Sequence, residues 1–318
     1  MTNLADEGLY GHPVQILDED GDWLLILSAY GYSGWCHRDT LQIVEREKLE
    51  KWVQESVTLH GKCVDVLSAP TVHASRLAAL SGGSMVRSLE KEVDGWLQVA
   101  LLDGSSGYAA LCRTMPTRLD TSILFDEPHK WQAAQNEASQ RRQYAQGGQE
   151  NFSFRNLLDK FYAGSEQRFR DELTDLAKSY LGTQYRWGGR SSFGIDCSGL
   201  VGSCYQQCGV MIYRDAAIVD GYPLKRLPLI WENGRISRDS FTTVLKAGDA
   251  LYFPGHVAMY LENGQYIHAT GHCASNGVVI SSLCQEDGNF RQDLYDSLYA
   301  AAGLRLPKQA EAGKETDR

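Results

Sequence analysis

The sequence predicts an α+β protein with two small β units at its front. Three observations carry that prediction. Residues 1 to about 113 break into short apolar runs separated by Gly- and Asp-containing turns, as small barrels do. The pattern occurs twice: a Trp opens a strand after an acidic, Gly-containing turn, and a Gly-aromatic pair follows. From about residue 166 the apolar spacing turns helical, and from about Val244 it turns to strands; helices followed by antiparallel strands make an α+β domain.

The first unit, expected over residues 1–48, contains Val14-Gln15-Ile16-Leu17, the turn Asp18-Glu19-Asp20-Gly21-Asp22, the run Trp23-Leu24-Leu25-Ile26-Leu27 and then Gly31-Tyr32-Ser33-Gly34-Trp35. The second, expected over 58–115, repeats the order with Ser84-Met85-Val86-Arg87-Ser88-Leu89, Gly95-Trp96-Leu97-Gln98-Val99-Ala100 and Gly107-Tyr108-Ala109-Ala110. The first unit is one strand short ahead of Gly8-Leu9-Tyr10-Gly11, so it is either degenerate or completed by the second. A polar connection is expected over 116–165, with a helix at 132–141 that Gly147-Gly148 breaks. The α+β domain is expected over 166–306. Leu173, Leu176, Ala177, Tyr180 and Leu181 form one buried helical stripe, which Gly182 ends. A second helix starts at Cys197-Ser198 and buries Leu200, Val201, Cys204 and Cys208. Residues 307–318 are polar and charged and read as a disordered tail.

Composition narrows the classes. At 318 residues and 43% hydrophobic content the chain can bury a large core. A net charge of -9, without a basic run beyond Arg141-Arg142, argues against nucleic acid as partner. No apolar stretch approaches the roughly 20 residues that span a bilayer, and the first residues lack the basic and apolar segments of a signal peptide. The eight cysteines include no C-x-x-C pair, so no metal site is expected and no cofactor is implied. Mostly reduced thiols and a cytoplasmic location fit best. Oligomeric state is not legible.

One cysteine stands apart. Cys197 opens a helix in Gly194-Ile195-Asp196-Cys197-Ser198-Gly199, and two histidines follow on strands, His256 and His268. A helix start favours the thiolate and an imidazole completes its activation, so Cys197 is the candidate nucleophile and His256 its base. His268 then holds the far ring nitrogen of His256. Each residue alone is more often structural; the conjunction in this order points to catalysis. It also fixes a geometry. If Asn263-Gly264 alone formed the turn, the two histidines would face opposite sides of the sheet. A three-residue loop, Glu262-Asn263-Gly264 with Gly264 left-handed, pairs Leu261 with Gln265 and Ala258 with His268, and puts both rings on one face.

With those residues in place, 166–305 resembles the NlpC/P60 cysteine peptidases, through Tyr185-Arg186-Trp187-Gly188-Gly189, Asp196-Cys197-Ser198-Gly199-Leu200-Val201, Ala247-Gly248-Asp249, His256-Val257-Ala258-Met259-Tyr260 and Ile267-His268-Ala269. The front units resemble bacterial SH3 (SH3b) modules. The resemblance implies a papain-like core with Cys197, His256 and His268 as triad and Tyr185 beside the thiol, helping the Cys197 N–H to define the oxyanion site. The combination is most similar to YkfC-type γ-D-glutamyl-L-diamino acid endopeptidases. These cut murein stem peptides after γ-D-glutamate and require a free N-terminal L-alanine. That implies substrate-binding roles for Asp196, Ser198 and Asp215, for Tyr32 of the first module, and for Glu7 or Asp6. The chain departs from the family pattern at Ala216, where relatives carry a pocket serine, and at Val219, where they carry glutamine. A non-catalytic wall-binding protein and an amidase or acyltransferase on the same core remain the alternatives.

Overall fold

The structure is a computed structural model that describes residues 4–125 and 152–306. The first unit is a three-stranded antiparallel sheet, β1 (Val14–Asp20), β2 (Trp23–Ser28) and β3 (Ser33–His37), in that order. Its small core joins Leu17, Leu27 and Ala29 to Ile123 and Leu124 of the later connection. A helix, Arg46–Glu55, leads to the second unit. This is a seven-stranded antiparallel sheet of β4 (Ser56–Leu59), β5 (Cys63–Leu67), β6 (Arg76–Ser81), β7 (Met85–Val93), β8 (Trp96–Ala100), β9 (Ser106–Ala110) and β10 (Thr114–Pro116), in the order β10-β4-β7-β8-β9-β5-β6. The segment before β1 is tied to this second sheet. The Met85 N–H donates to the Tyr10 carbonyl at 2.9 Å, Trp52 Nε1 donates to the Gly11 carbonyl at 2.9 Å, and His12 Nε2 lies 2.8 Å from the Gly83 carbonyl. The segment ahead of the first sheet is thus anchored on the second unit, while the two sheets remain separate among the described residues.

The α+β domain starts earlier than the apolar spacing indicates. Helix Phe154–Phe161, assigned above to the connection, packs Phe154, Leu157 and Leu158 into the same core as helix Glu166–Ser179 and helix Cys197–Gln207. Leu181 is the one member of the expected stripe that points outward, at 43% exposure, because the helix ends at Ser179 and the chain turns through a left-handed Gly182. The two short hairpins β11 (Arg190–Ser191) with β12 (Gly194–Ile195), and β14 (Trp231–Glu232) with β15 (Arg235–Ile236), flank a six-stranded sheet. That sheet contains β13 (Lys225–Arg226), β16 (Ala250–Phe253), β17 (His256–Tyr260), β18 (Gln265–Thr270), β19 (Gly277–Ser282) and β20 (Ala300–Gly303), in the order β13-β20-β16-β17-β18-β19. Alternate residues go to two cores. Val257, Met259, Ile267 and Ala269 face the helices, whereas Ala258, Tyr260 and Tyr266 pack against Phe241 and Leu298 on the other side. The expected helix at 132–141 and the expected tail at 307–318 lie outside the described residues.

Candidate active site

Helix Cys197–Gln207 begins at the cleft because its N-terminus is anchored from several directions. Asp196 is its N-cap and accepts from the Gly199 N–H at 2.5 Å. A Cβ at Gly199 would lie 2.2 Å from the Gly189 carbonyl, so glycine lets the first turn sit flush against the loop before it. Leu200, Val201, Cys204 and Cys208 are all fully buried beneath. Cys197 itself is buried, and its sulfur accepts a backbone hydrogen bond from Val257, the residue after His256. That contact brings the nucleophile to the start of β17.

The hairpin has the register the mechanism requires. Met259 pairs with Ile267 and Tyr260 with Tyr266, and the Leu261 N–H donates to the Gln265 carbonyl at 2.9 Å. The loop is Glu262-Asn263-Gly264, with Asn263 (φ 51°) and Gly264 (φ 80°) both left-handed. His256 and His268 therefore share a face, and His256 Nε2 lies 2.8 Å from His268 Nδ1. His268 is fully buried and its Nε2 lies 3.1 Å from Ser281 Oγ. Burial lowers His256 to about 4 and His268 to about 3.

The electrostatics correct the expectation that the helix start ionises the thiol. Burial pushes Cys197 up; backbone hydrogen bonds from Val257 and Ser198 and the nearby Arg214 oppose it, but the Asp196 carboxylate adds to the rise. Taken singly, thiol and imidazole are both neutral. Tyr185 stands beside this pair. Burial raises its hydroxyl to about 12, with the Cys197 and Asp196 charges adding, so it remains a donor at neutral pH. Its backbone N–H donates to the Asn276 carbonyl at 3.1 Å.

Asp196 and Glu7 behave differently from their expected roles. Both Asp196 oxygens are occupied: Oδ1 by Gly199 N–H, Ser198 Oγ at 3.2 Å and Arg214 Nη1 at 3.2 Å, and Oδ2 by Gly188 N–H at 2.9 Å and Arg214 Nη2 at 3.1 Å. A carboxylate has about four lone-pair sites, so none remains for a substrate ammonium. Ser198 also accepts from Arg214 Nη1 at 2.8 Å. Glu7 accepts from the Arg190 N–H at 2.8 Å and from Ser191 Oγ at 3.0 Å, holding the loop ahead of the nucleophile. Asp6, its neighbour, joins the site: it accepts from Arg214 Nε at 2.5 Å and from the Tyr30 hydroxyl. The Arg190 guanidinium stacks 4.3 Å over the Tyr30 ring.

At the other end of this network stand Asp215 and Tyr32. Asp215 accepts a hydrogen bond from Tyr213; desolvation raises its carboxyl, Arg214 opposes the rise, and Asp196 and Asp6 add to it. Tyr32 is half-buried and raised to about 12 by burial and by the Asp215 charge. The first unit thus meets the α+β domain at the cleft. Ala216 packs against the main core.

Comparison with known proteins finds matches in both parts of the chain. Residues 182–289 match the NlpC/P60 family and residues 6–42 match the bacterial SH3 domain. Dipeptidyl-peptidase 6 of Lysinibacillus sphaericus is 32% identical over 308 residues, covering 95% of this chain and 93% of its own. The chain belongs to the NlpC/P60 family. It is an NlpC/P60 peptidase with an N-terminal SH3b region and is most like the YkfC type. The γ-D-glutamyl-L-lysine dipeptidyl-peptidase of Bacillus cereus is 33% identical over 108 residues, 31% of this chain and 28% of that protein. A crystal structure of an NlpC/P60 family protein from Bacillus cereus has the same fold, with a TM-score of 0.59 at 20% identity over 95% of this chain and 81% of that one. Sequence reading of this NlpC/P60 site missed Arg214, Arg190, Tyr30 and Ser281. Arg214 had a signal, since an arginine between Tyr213 and Asp215 has to find a carboxylate if buried; Ser281 had none.

Proposed function

We propose that this protein is a cysteine endopeptidase hydrolysing the γ-D-glutamyl-L-diamino acid bond of murein-derived peptides, L-Ala-γ-D-Glu-diaminopimelate or -lysine, whose N-terminal L-alanine is free. Its place would be in murein peptide recycling or turnover. The observation that carries the reading is the ion network around Arg214: Asp196, the N-cap of the Cys197 helix, and Asp6 of the first unit both bind its guanidinium, beside Asp215 and Tyr32. The name of the Bacillus cereus relative supports the choice of bond.

The Cys197 sulfur attacks the γ-carbonyl while His256 takes its proton, and the oxyanion faces the Cys197 N–H and the Tyr185 hydroxyl. His256 returns the proton to the leaving amine, and water resolves the acyl-enzyme. Asp215, already bonded by Tyr213, takes the substrate ammonium beside Tyr32. Ser198 and Asp196 keep the helix start and Arg214 in place. Eight free thiols suit a reducing compartment, and a cytoplasmic location is part of this proposal.

The test is release of the diamino acid from L-Ala-γ-D-Glu-meso-diaminopimelate and its lysine counterpart, read by mass spectrometry. Cys197→Ala abolishes release, and acetylating the alanine amine lowers kcat/KM by roughly fivefold, the scale of an ion pair at the solvent-exposed Asp215. Equal rates on free and acetylated peptides would remove the amine corner from the reading.

A further inference from the structure

Residues 117–125 follow the last strand of the second unit and touch all three parts of the protein. Thr117 Oγ1 donates to the Ser56 carbonyl of β4 at 2.8 Å. Leu119, Ile123 and Leu124 go to the first unit, where they pack with Leu17, Leu27 and Ala29. Between these contacts Arg118 reaches into the α+β domain. Its Nη1 has three oxygens in reach: the Tyr162 hydroxyl at 3.0 Å, Glu172 Oε1 at 3.4 Å and the Gln207 carbonyl at 3.4 Å. The guanidinium also lies 4.5 Å over the Phe161 ring and 5.3 Å over the Tyr162 ring. Arginine suits this place because a flat guanidinium stacks on rings while its N–H groups donate in its own plane. Its side chain is 5% exposed. Gln207 is the last residue of the helix that Cys197 opens, so its carbonyl is among those left without an intrahelical partner. A cation at that end also favours the helix dipole. The same end meets the second unit, where Gln207 Oε1 accepts from the Gly61 N–H at 2.9 Å.

We infer that Arg118 is a positioning residue: it fastens the 117–125 strap to the far end of the nucleophile helix, and the strap sets the first unit so that Asp6 and Tyr32 stand at the Arg214–Asp215 corner. The inference rests on the reading above, in which that corner takes the substrate amine. The contacts run without a break. Arg118 holds the strap to the Gln207 carbonyl and to Glu172. Ile123 and Leu124, both buried, belong to the first unit's core. Beyond them Phe125 is held in turn, since Arg46 lies 5.1 Å over its ring and donates from Nη1 to its carbonyl at 3.5 Å. From the first unit Asp6 accepts from Arg214 Nε, and Tyr32 feels the Asp215 charge. The same helix therefore carries Cys197 at one end and, at the other, the anchor of the unit that meets the substrate amine.

The experiment compares the full-length protein with Arg118→Met, which keeps an apolar stem and removes the guanidinium. Two substrates are used: L-Ala-γ-D-Glu-meso-diaminopimelate with its alanine amine free, and the same peptide acetylated. Arg118→Met should raise KM for the free peptide by roughly three- to fivefold, the ceiling set by the ion pair at the corner. Its kcat should change by less than about twofold, as when binding alone is lost. KM for the acetylated peptide should stay where it is. A protein that is merely destabilised loses on both peptides alike. An unmoved KM for the free peptide, or an equal loss on both, overturns the inference. Amide hydrogen exchange gives a readout without substrate. Residues 4–12 and 23–37 should exchange faster in the variant and residues 256–270 at the same rate; unchanged exchange throughout also overturns it. If Arg118→Met does not fold, Arg118→Lys, which keeps a charge but not the stacking fork, is read in the same way. Should the unmodified protein cleave neither peptide, the substrate reading fails and hydrogen exchange alone decides the role of the strap.

Discussion

At the level of single residues, the histidines carry a cost that shows in stability. Burial first, then Arg291 for His256 and the neighbouring His256 for His268, hold His256 at about 4 and His268 at about 3, and burial holds His12 at about 4, all from an ordinary 6.5. A histidine depressed in the folded state binds a proton more readily once unfolded. Its contribution is complete above pH 6.5 and is lost as pH falls through 6.5 towards 4. Urea midpoints should therefore be level above about pH 7 and fall steeply between pH 6.5 and 4. A midpoint that rises or stays flat over that window would contradict neutral burial of these rings. The same burial explains why the candidate nucleophile was legible and its protonation was not. Cys197 at a helix start is visible in the sequence, but the burial that raises its thiol is a property of the folded core, only partly opposed by the Val257 backbone hydrogen bond and Arg214.

At the level of elements, the hairpin β17–β18 does the placing. Its loop length was deduced from the need for two histidines on one face, and the register agrees. Gly264 has two reasons to be glycine: φ of 80°, and a neighbourhood in which a Cβ would lie 2.5 Å from Cys284 Sγ and 3.1 Å from the Phe241 ring. Gly264→Ala should cost about 1–3 kcal/mol, from left-handed strain and overlap together. In a Cys284→Ala background the overlap is relieved and the cost should shrink towards the strain alone, about 1–2 kcal/mol. Denaturant unfolding of the four-member cycle measures both. Helix Phe154–Phe161 was not read from the sequence because its short apolar stripe follows a long polar stretch; only the packing of Phe154, Leu157 and Leu158 against Phe169 and Tyr205 assigns it to the α+β core.

At the level of the whole molecule, an ion network ties the first unit to the nucleophile. Asp6 and Asp196 grip Arg214 from opposite sides, and Arg214 is 4% exposed. Removing one partner of such a buried set leaves a charge without compensation, so Asp6→Ala should cost about 3 kcal/mol or more. It should also raise KM for the free-amine tripeptide more than it lowers kcat, because Arg214 holds the Asp196 cap and borders the Asp215 corner. Thermal unfolding and steady-state kinetics test the two parts. Unaltered values would reduce the network to a surface contact.

The sequence by itself determined the α+β class, singled out Cys197 at its helix start with His256 and His268, and gave the loop that brings the two histidines to one face. Each of these depends on local spacing: a helix start, strand alternation and turn length act within a few residues. The tertiary structure decided what depends on distant partners. Glu7 is taken up by the loop at Arg190 and Ser191, Asp6 reaches Arg214 more than two hundred residues away, and Asp196 gives every acceptor site to the protein's own donors. A carboxylate's role is set by which donors surround it, and those donors come from both ends of the chain.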